Sequence, residues 1–242
     1  MSILIPAVLP TSKLDLAEKL ERLSSITAVE FVQIDTVDGR FAPTASWPYT
    51  EDAAGKAAFA AETEPFPHWG ALQFEVDLMT LDAESAAAQW IAHGVSRLTV
   101  HVESTTRLAE LIHDLKRRFG RAQDFVPDLL SLGLAIGLHT DLAVLEPYIE
   151  EIDYVQFMGI AHIGRQGQPF ERSVLSRIES FRKRHPQMLI QVDGGVSRAT
   201  VPALLSAGVD RLVVGSDLWN APDLAARFRE FEALTERYGT YE

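Results

Sequence analysis

Met188-Leu189-Ile190-Gln191-Val192-Asp193-Gly194-Gly195 decides how this chain is read. An apolar, partly β-branched run stops at a carboxylate, and two glycines follow. Side chains alternate along a strand, so Gln191 and Asp193 point to the same face. Polar residues inside an otherwise apolar strand are costly to bury without partners. The glycine pair lets the backbone take φ > 0 and approach a ligand closely. A segment of helical period, Ser197–Ala207, comes next, and the free N–H groups and dipole of a helix start favour an anion. The run Val192-Asp193-Gly194-Gly195 therefore reads as a carboxylate beside an anion-cradling turn, at the C-terminal end of a strand.

Similar apolar runs recur at Ile3–Leu9, Val29–Asp35, Leu72–Leu78, Arg97–His101, Leu132–Leu138, Tyr154–Met158, Met188–Asp193 and Arg211–Gly215. Segments of helical period lie between them, at Leu14–Leu20, Leu81–His93, Thr105–Phe119, Phe170–His185, Ser197–Ala207 and Ala221–Tyr238. Strands buried on both faces of a parallel sheet read as near-continuous apolar runs. Strands alternating with helices suggest a closed parallel barrel or a doubly wound open sheet. Gly215-Ser216 closes the last run, so glycine turns follow both strand seven and strand eight, the recurrent phosphate site of the barrel. The 242 residues match the length of one such barrel. Residues 1–242 are accordingly expected to form a single α/β domain, a (β/α)8 TIM barrel. The least regular stretch, Thr44–Pro67, is expected to hold a helix and a long loop over the barrel mouth.

Functional residues of a parallel barrel collect where strands end. Four expected strands end in polar pairs two residues apart: Gln33 and Asp35, Glu75 and Asp77, Thr99 and His101, Gln191 and Asp193. Core packing does not account for four such pairs at equivalent positions, and together they point to a site. His93, His113 and His185 fall on helices or at their ends and read as solvated or as favourable C-terminal charges. His101 is expected either to reach the barrel centre or to be an oriented buried histidine. His139 and His162 fall in or near βα loops. The lysines (Lys13, Lys19, Lys56, Lys116, Lys183) sit on expected helices or in the first loop, which disfavours a Schiff-base aldolase. Asp77-Leu78-Met79-Thr80-Leu81-Asp82 has the spacing of the Asp-x-Lys-x-x-Asp motif of the orotidine-monophosphate decarboxylase group, but Met79 stands at the lysine.

A net charge of −12 makes nucleic acid and anionic membranes poor partners. A local nest of backbone N–H groups can still bind phosphate against that field. With no cysteine, disulfides, thiolate metal sites and cysteine nucleophiles are excluded. The N-terminal run lacks a basic segment and is broken at Pro6, no stretch approaches the roughly 18 apolar residues of a membrane span, and a cytoplasmic protein is expected.

The residues at the strand ends resemble the ribulose-phosphate 3-epimerase family over nearly the whole chain. Ile34-Asp35-Thr36-Val37-Asp38-Gly39-Arg40-Phe41-Ala42-Pro43 is similar to its strand-two His-x-Asp followed by Met-Asp-Gly-x-Phe-x-Pro. Val76-Asp77-Leu78-Met79 resembles its Val-His-Leu-Met, and Val100-His101-Val102-Glu103 its His-x-Glu. Phe157-Met158 with Gly164–Phe170 resembles its substrate-covering loop, and Val192–Gly195 with Gly215-Ser216 its phosphate-binding ends. The resemblance implies inversion of the carbon next to a ketone in a phosphorylated ketose. Asp35 and Asp193 would be the acid/base pair. Gly194, Gly195, Gly215, Ser216, Met79, Gly164 and Gly167 would hold the phosphosugar. A homo-oligomer is implied as well.

Where the family holds a divalent metal with two His and two Asp, both imidazoles are replaced here, by Gln33 and Asp77. Ala7 stands for a substrate-contacting Ser, and the loop Ile160–Gln168 lacks the family's Pro-Gly turn. Two outcomes follow. In one, Asp35, Asp77, Asp193 and the Gln33 carbonyl form an all-oxygen set suited to Mg²⁺, Mn²⁺ or Ca²⁺ rather than Zn²⁺. In the other, no metal binds and the converging carboxylates retain a proton, unless Arg40, Arg165 or a histidine compensates. Two functions remain open: an epimerase-like isomerase, or a phosphosugar-binding barrel of altered catalysis that acts as a sensor or partner protein.

Overall fold

A computed structural model describes residues 3–62, 66–119 and 130–239. Its strands are β1 (Ile3–Val8), β2 (Phe31–Val37), β3 (Gln73–Met79), β4 (Arg97–His101), β5 (Ser131–Ile136), β6 (Tyr154–Met158), β7 (Leu189–Asp193) and β8 (Arg211–Val214). They close into a barrel in sequence order, and every neighbouring pair is parallel. The expected (β/α)8 barrel is therefore the fold, and the open sheet is excluded.

The helices are α1 (Lys13–Ser24), α2 (Ala53–Ala61), α3 (Ala83–Ala92), α4 (Leu108–Phe119), α5 (Ser173–Arg184), α6 (Val201–Ser206), α7 (Ser216–Trp219) and α8 (Leu224–Tyr238). Local chemistry starts them where sequence rules expect. Ser12 caps α1 by accepting the Asp15 N–H, and Asp223 caps α8 by accepting the Ala226 N–H. Leu16, Leu20 and Leu23 form the buried stripe of α1, at the i, i+4, i+7 spacing of one helix face. No α-helix joins β5 to β6; a 3-10 segment, Leu142–Glu151, with Pro147 inside it, makes that connection.

The stretch 44–67 holds α2, as expected, and residues 63–65 lie outside the described residues. Trp47, Phe59, Phe66 and Trp90 interlock, with ring centroids 4.9 to 6.4 Å apart. His93 is part of this cluster. Its Nε2 lies 3.1 Å from the Phe59 carbonyl and its ring stacks on Phe59. It is buried, which corrects the reading of His93 as a solvated helix-end charge.

Two kinds of interior result. Outward-facing strand residues such as Val32, Ile34, Val76 and Leu98 pack with the helices in the main apolar core. Inward-facing residues, two apart along the same strands, are largely polar. Gln33, Asp35, Glu75, Asp77, Thr99, His101, Gln156 and Gln191 are all buried inside the barrel. The barrel wall thus seals a polar column away from the greasy layer around it, and that column carries the site.

Candidate active site

Parallel register assembles the carboxylates. In the β2–β3 ladder Asp35 pairs with Asp77 and Gln33 with Glu75. Asp193 is the last residue of β7, flanked by Met158 of β6 and Val213 of β8. Ligand oxygens of Asp35, Asp77 and Asp193 all lie within 4.8 Å of one another. β2 runs two residues past its expected end at Asp35, to Val37, and the loop beyond is anchored by Asp38. The Asp38 carboxylate accepts the N–H groups of Arg40, Phe41 and Leu81 and the Thr80 hydroxyl, at 2.7 to 3.2 Å. Burial works against its charge, but these donors outweigh burial and hold its pKa below the usual carboxylate value.

The Gln33 amide nitrogen donates to Asp35 at 2.8 Å and to Asp193 at 3.0 Å. Asp77 accepts from Gln156 at 2.9 Å and lies 2.9 Å from Nε2 of His101. His101 is therefore buried, oriented and at the barrel centre at once, so the two alternatives for it coincide. Burial opposes its imidazolium, yet the Asp77 charge beside it prevails and raises its pKa. Burial, then the Asp193 and Asp77 charges, push Asp35 well above an ordinary carboxylate. Burial, then Asp77, push Asp193 up to about 7, with Gln33 and His101 opposing. Such shifts mark carboxylates that can carry protons at neutral pH.

A narrow cleft opens above this floor. Asp35, Asp193, Met79, Gly164, Gly167, Gly194, Gly195, Gly215 and Ser216 all line it. The residues expected to act on and hold substrate are thus brought together, while Gln33 and Asp77 lie beneath the cleft. Gly194 and Gly195 have φ of 95° and 68°. A Cβ on Gly195 would stand 2.7 Å from the Phe170 backbone, so only glycine lets the two loops meet this closely.

One local expectation is corrected. The glycine pair does not run straight into a helix, because Thr200 first closes a turn by accepting the Ser197 N–H at 2.8 Å, and α6 starts only at Val201. Gly215-Ser216 does lead directly into α7. Arg165 lines the cleft, whereas Arg40 lines a separate depression beside Tyr49 and Thr80. His162 is exposed beside Phe41 and Glu103, and His139 is exposed on its loop.

Gln156 escaped the sequence reading. Four other strand ends carry two polar residues each, whereas β6 ends in Gln156 and Met158. The signal was a single amide in an apolar strand, in phase with the strand's last residue.

The three carboxylates fit a hard divalent ion: their ligand atoms are close together and all are oxygens. Gln33 is oriented differently from the expected ligand. Its NH2 group faces Asp35 and Asp193, and its carbonyl oxygen accepts from Gln191 at 3.2 Å.

Fold and floor together define a (β/α)8 barrel with an acid cluster under a glycine-walled cleft at the C-terminal ends of its strands. The family model "Ribulose-phosphate 3 epimerase family" matches residues 3–219, and the chain belongs to that family. Among its relatives, the ribulose-phosphate 3-epimerase of Aquifex aeolicus is 25% identical over 97% of both chains. That of Schizosaccharomyces pombe is 28% identical over 79% of this chain and 76% of its own. The crystal structure of 3-hexulose-6-phosphate synthase from Salmonella typhimurium shares the fold, with a TM-score of 0.65 at 16% identity, covering 98% of this chain and 100% of that one. Among the described residues, no helix is long and apolar enough to cross a membrane.

Proposed function

We propose that this chain is an isomerase that epimerises a phosphorylated ketose at the carbon next to its carbonyl, with Asp35 and Asp193 as the proton-transferring pair. One observation carries the reading: the two carboxylates lie at the floor of the same cleft, on strands separated by β1 and β8, and both hold protons more tightly than ordinary carboxylates. Burial and the neighbouring carboxylates favour the protonated form of both, so either can carry a proton. The ionised member removes the proton from the carbon, and the protonated member delivers one to the opposite face. The Gln33 amide donates to both and keeps each facing the substrate.

The phosphate end of the substrate belongs at Gly194, Gly195, Gly215 and Ser216, which line the cleft. Met79, Gly164 and Gly167 complete the walls. Asp35, Asp77 and Asp193 would hold a divalent ion of the Mg²⁺, Mn²⁺ or Ca²⁺ kind, which would stabilise negative charge on the substrate oxygens. Family membership and the phosphosugar named for the structural neighbour support a phosphosugar ligand.

The second reading, a phosphosugar-binding protein without turnover, draws on Asp77. Both of its oxygens are engaged by His101 and Gln156. Incubation with ribulose 5-phosphate in deuterium oxide separates the two. Deuterium at C3 supports the isomerase. Saturable binding with no exchange, for this and other pentulose and hexulose phosphates, establishes the binding protein instead.

A further inference from the structure

Beneath the carboxylates lies a layer of three buried glutamines, one each from β2, β6 and β7: Gln33, Gln156 and Gln191. The Gln191 NH2 group faces three oxygens. Its two N–H bonds are shared among Gln156 Oε1 at 2.8 Å, Gln33 Oε1 at 3.2 Å and the carboxylate of Glu75. Reversing this amide would press its carbonyl oxygen against those three acceptors, so one orientation is enforced. Gln191 Oε1, on the other side, is buried without a hydrogen-bond partner among the described residues, so none of them favours the reversed state.

The orientation of Gln191 sets the other two. With its oxygen held by Gln191, Gln33 can present only NH2 to Asp35 and Asp193. With its oxygen held the same way, Gln156 can present only NH2 to Asp77. Glu75 is the terminal acceptor. It is fully buried, and Arg97 lies 3.7 Å away as its counter-charge.

We propose that Gln191 is a positioning residue for the reaction, the keystone that forces Gln33 and Gln156 to serve as fixed hydrogen-bond donors to the three site carboxylates, with Glu75 anchoring it from below. Gln191 and Gln156 act through their neighbours and touch no substrate. The role in turnover rests on the isomerase reading above; the orientation of the amides does not. Without the keystone, each amide can turn its carbonyl toward a carboxylate, and the aim of Asp35 and Asp193 is lost.

The test is Gln191→Met, which keeps length and bulk but deletes the donor. Two readouts are taken on wild type and variant: solvent exchange of the Gln33 side-chain NH2 protons by NMR, and steady-state turnover of ribulose 5-phosphate. In Q191M the Gln33 NH2 protons should exchange at least ~10-fold faster, and kcat should fall ~10- to 100-fold, as expected for lost aim of a reacting group. KM should change less than about threefold, because the phosphate walls are untouched. Gln156→Met removes only the Asp77 branch and should leave Gln33 protected. If Q191M does not fold, Gln191→Asn, which retracts the amide by one methylene, must give the same faster exchange of Gln33. Unchanged Gln33 exchange in the folded variant overturns the proposal. A wild type that turns over no phosphoketose overturns the isomerase reading instead, and the exchange measurement still judges the keystone.

Discussion

Asp77 and His101 meet at 2.9 Å with both side chains fully buried, so the carboxylate of β3 is matched by an imidazole from the next strand. The register of β3 on β4 places Asp77 opposite Thr99, two residues before His101. Removing one partner of a buried ion pair leaves an uncompensated charge. His101→Leu should therefore lower unfolding stability by about 3–5 kcal/mol at neutral pH. His101→Gln, which keeps a donor, should lose clearly less. Urea unfolding of both variants measures this, and equal stability would show that Asp77 does not rely on the imidazole.

Asp35→Asn and Asp193→Asn each remove one proton carrier while keeping shape. Each should cut C3 deuterium exchange by about 10²–10⁴-fold. Calorimetry should still find phosphosugar binding in both variants. Exchange surviving in either would displace that residue from the acid/base pair.

The pH dependence of stability has a definite sign. The pKa of Asp193 is raised from 3.8 to about 7 in the folded protein, so between these values the folded state binds more protons than the unfolded one. Stability from this group is therefore full below about pH 4 and falls as pH rises toward 7. At ~1.4 kcal/mol per pH unit the ceiling is about 4 kcal/mol, and contact of Asp193 with cleft water reduces this to about 2. In chelator-treated protein, Asp193→Asn should melt higher than wild type at pH 8 and equal to it near pH 4. Parallel melting curves across that range would contradict the assignment.

Two glycines of the cleft should respond differently to alanine. At Gly195, with φ 68°, a new Cβ meets the Phe170 backbone at 2.7 Å. Strain and displaced loops should cost about 1–3 kcal/mol and raise KM roughly tenfold or more. At Gly167, with φ 79°, a Cβ meets nothing within 4 Å, so Gly167→Ala should carry only the backbone penalty. Steady-state kinetics decides; the reverse ranking would move the phosphate site away from Gly195.

Metal content is directly measurable. Dialysis against chelator followed by Mg²⁺, Mn²⁺ or Ca²⁺ should restore any lost turnover, and Asp77→Asn should weaken that restoration at least tenfold. Elemental analysis of the purified protein finding stoichiometric zinc would overturn the hard-ion argument, since the three carboxylates offer oxygen donors alone.

The fold was legible because its signals are local. Apolar runs of strand length, helical stripes such as Leu16, Leu20 and Leu23, and glycine turns after β7 and β8 each depend on a few neighbouring residues. The two-residue period also sorted inward from outward side chains, which placed Asp35, Asp77 and Asp193 on the interior. What the sequence alone could not determine was which polar atoms face one another. His93 looked like a helix-end charge until the rings of Phe59 and Phe66 closed over it. The Gln33 carbonyl was a reasonable ligand until Gln191, 158 residues away, claimed its oxygen and turned its NH2 toward Asp35 and Asp193. The orientation of an amide has no local signature. It follows from the balance of donors and acceptors that barrel closure brings together from distant strands, and only the tertiary structure sets that balance.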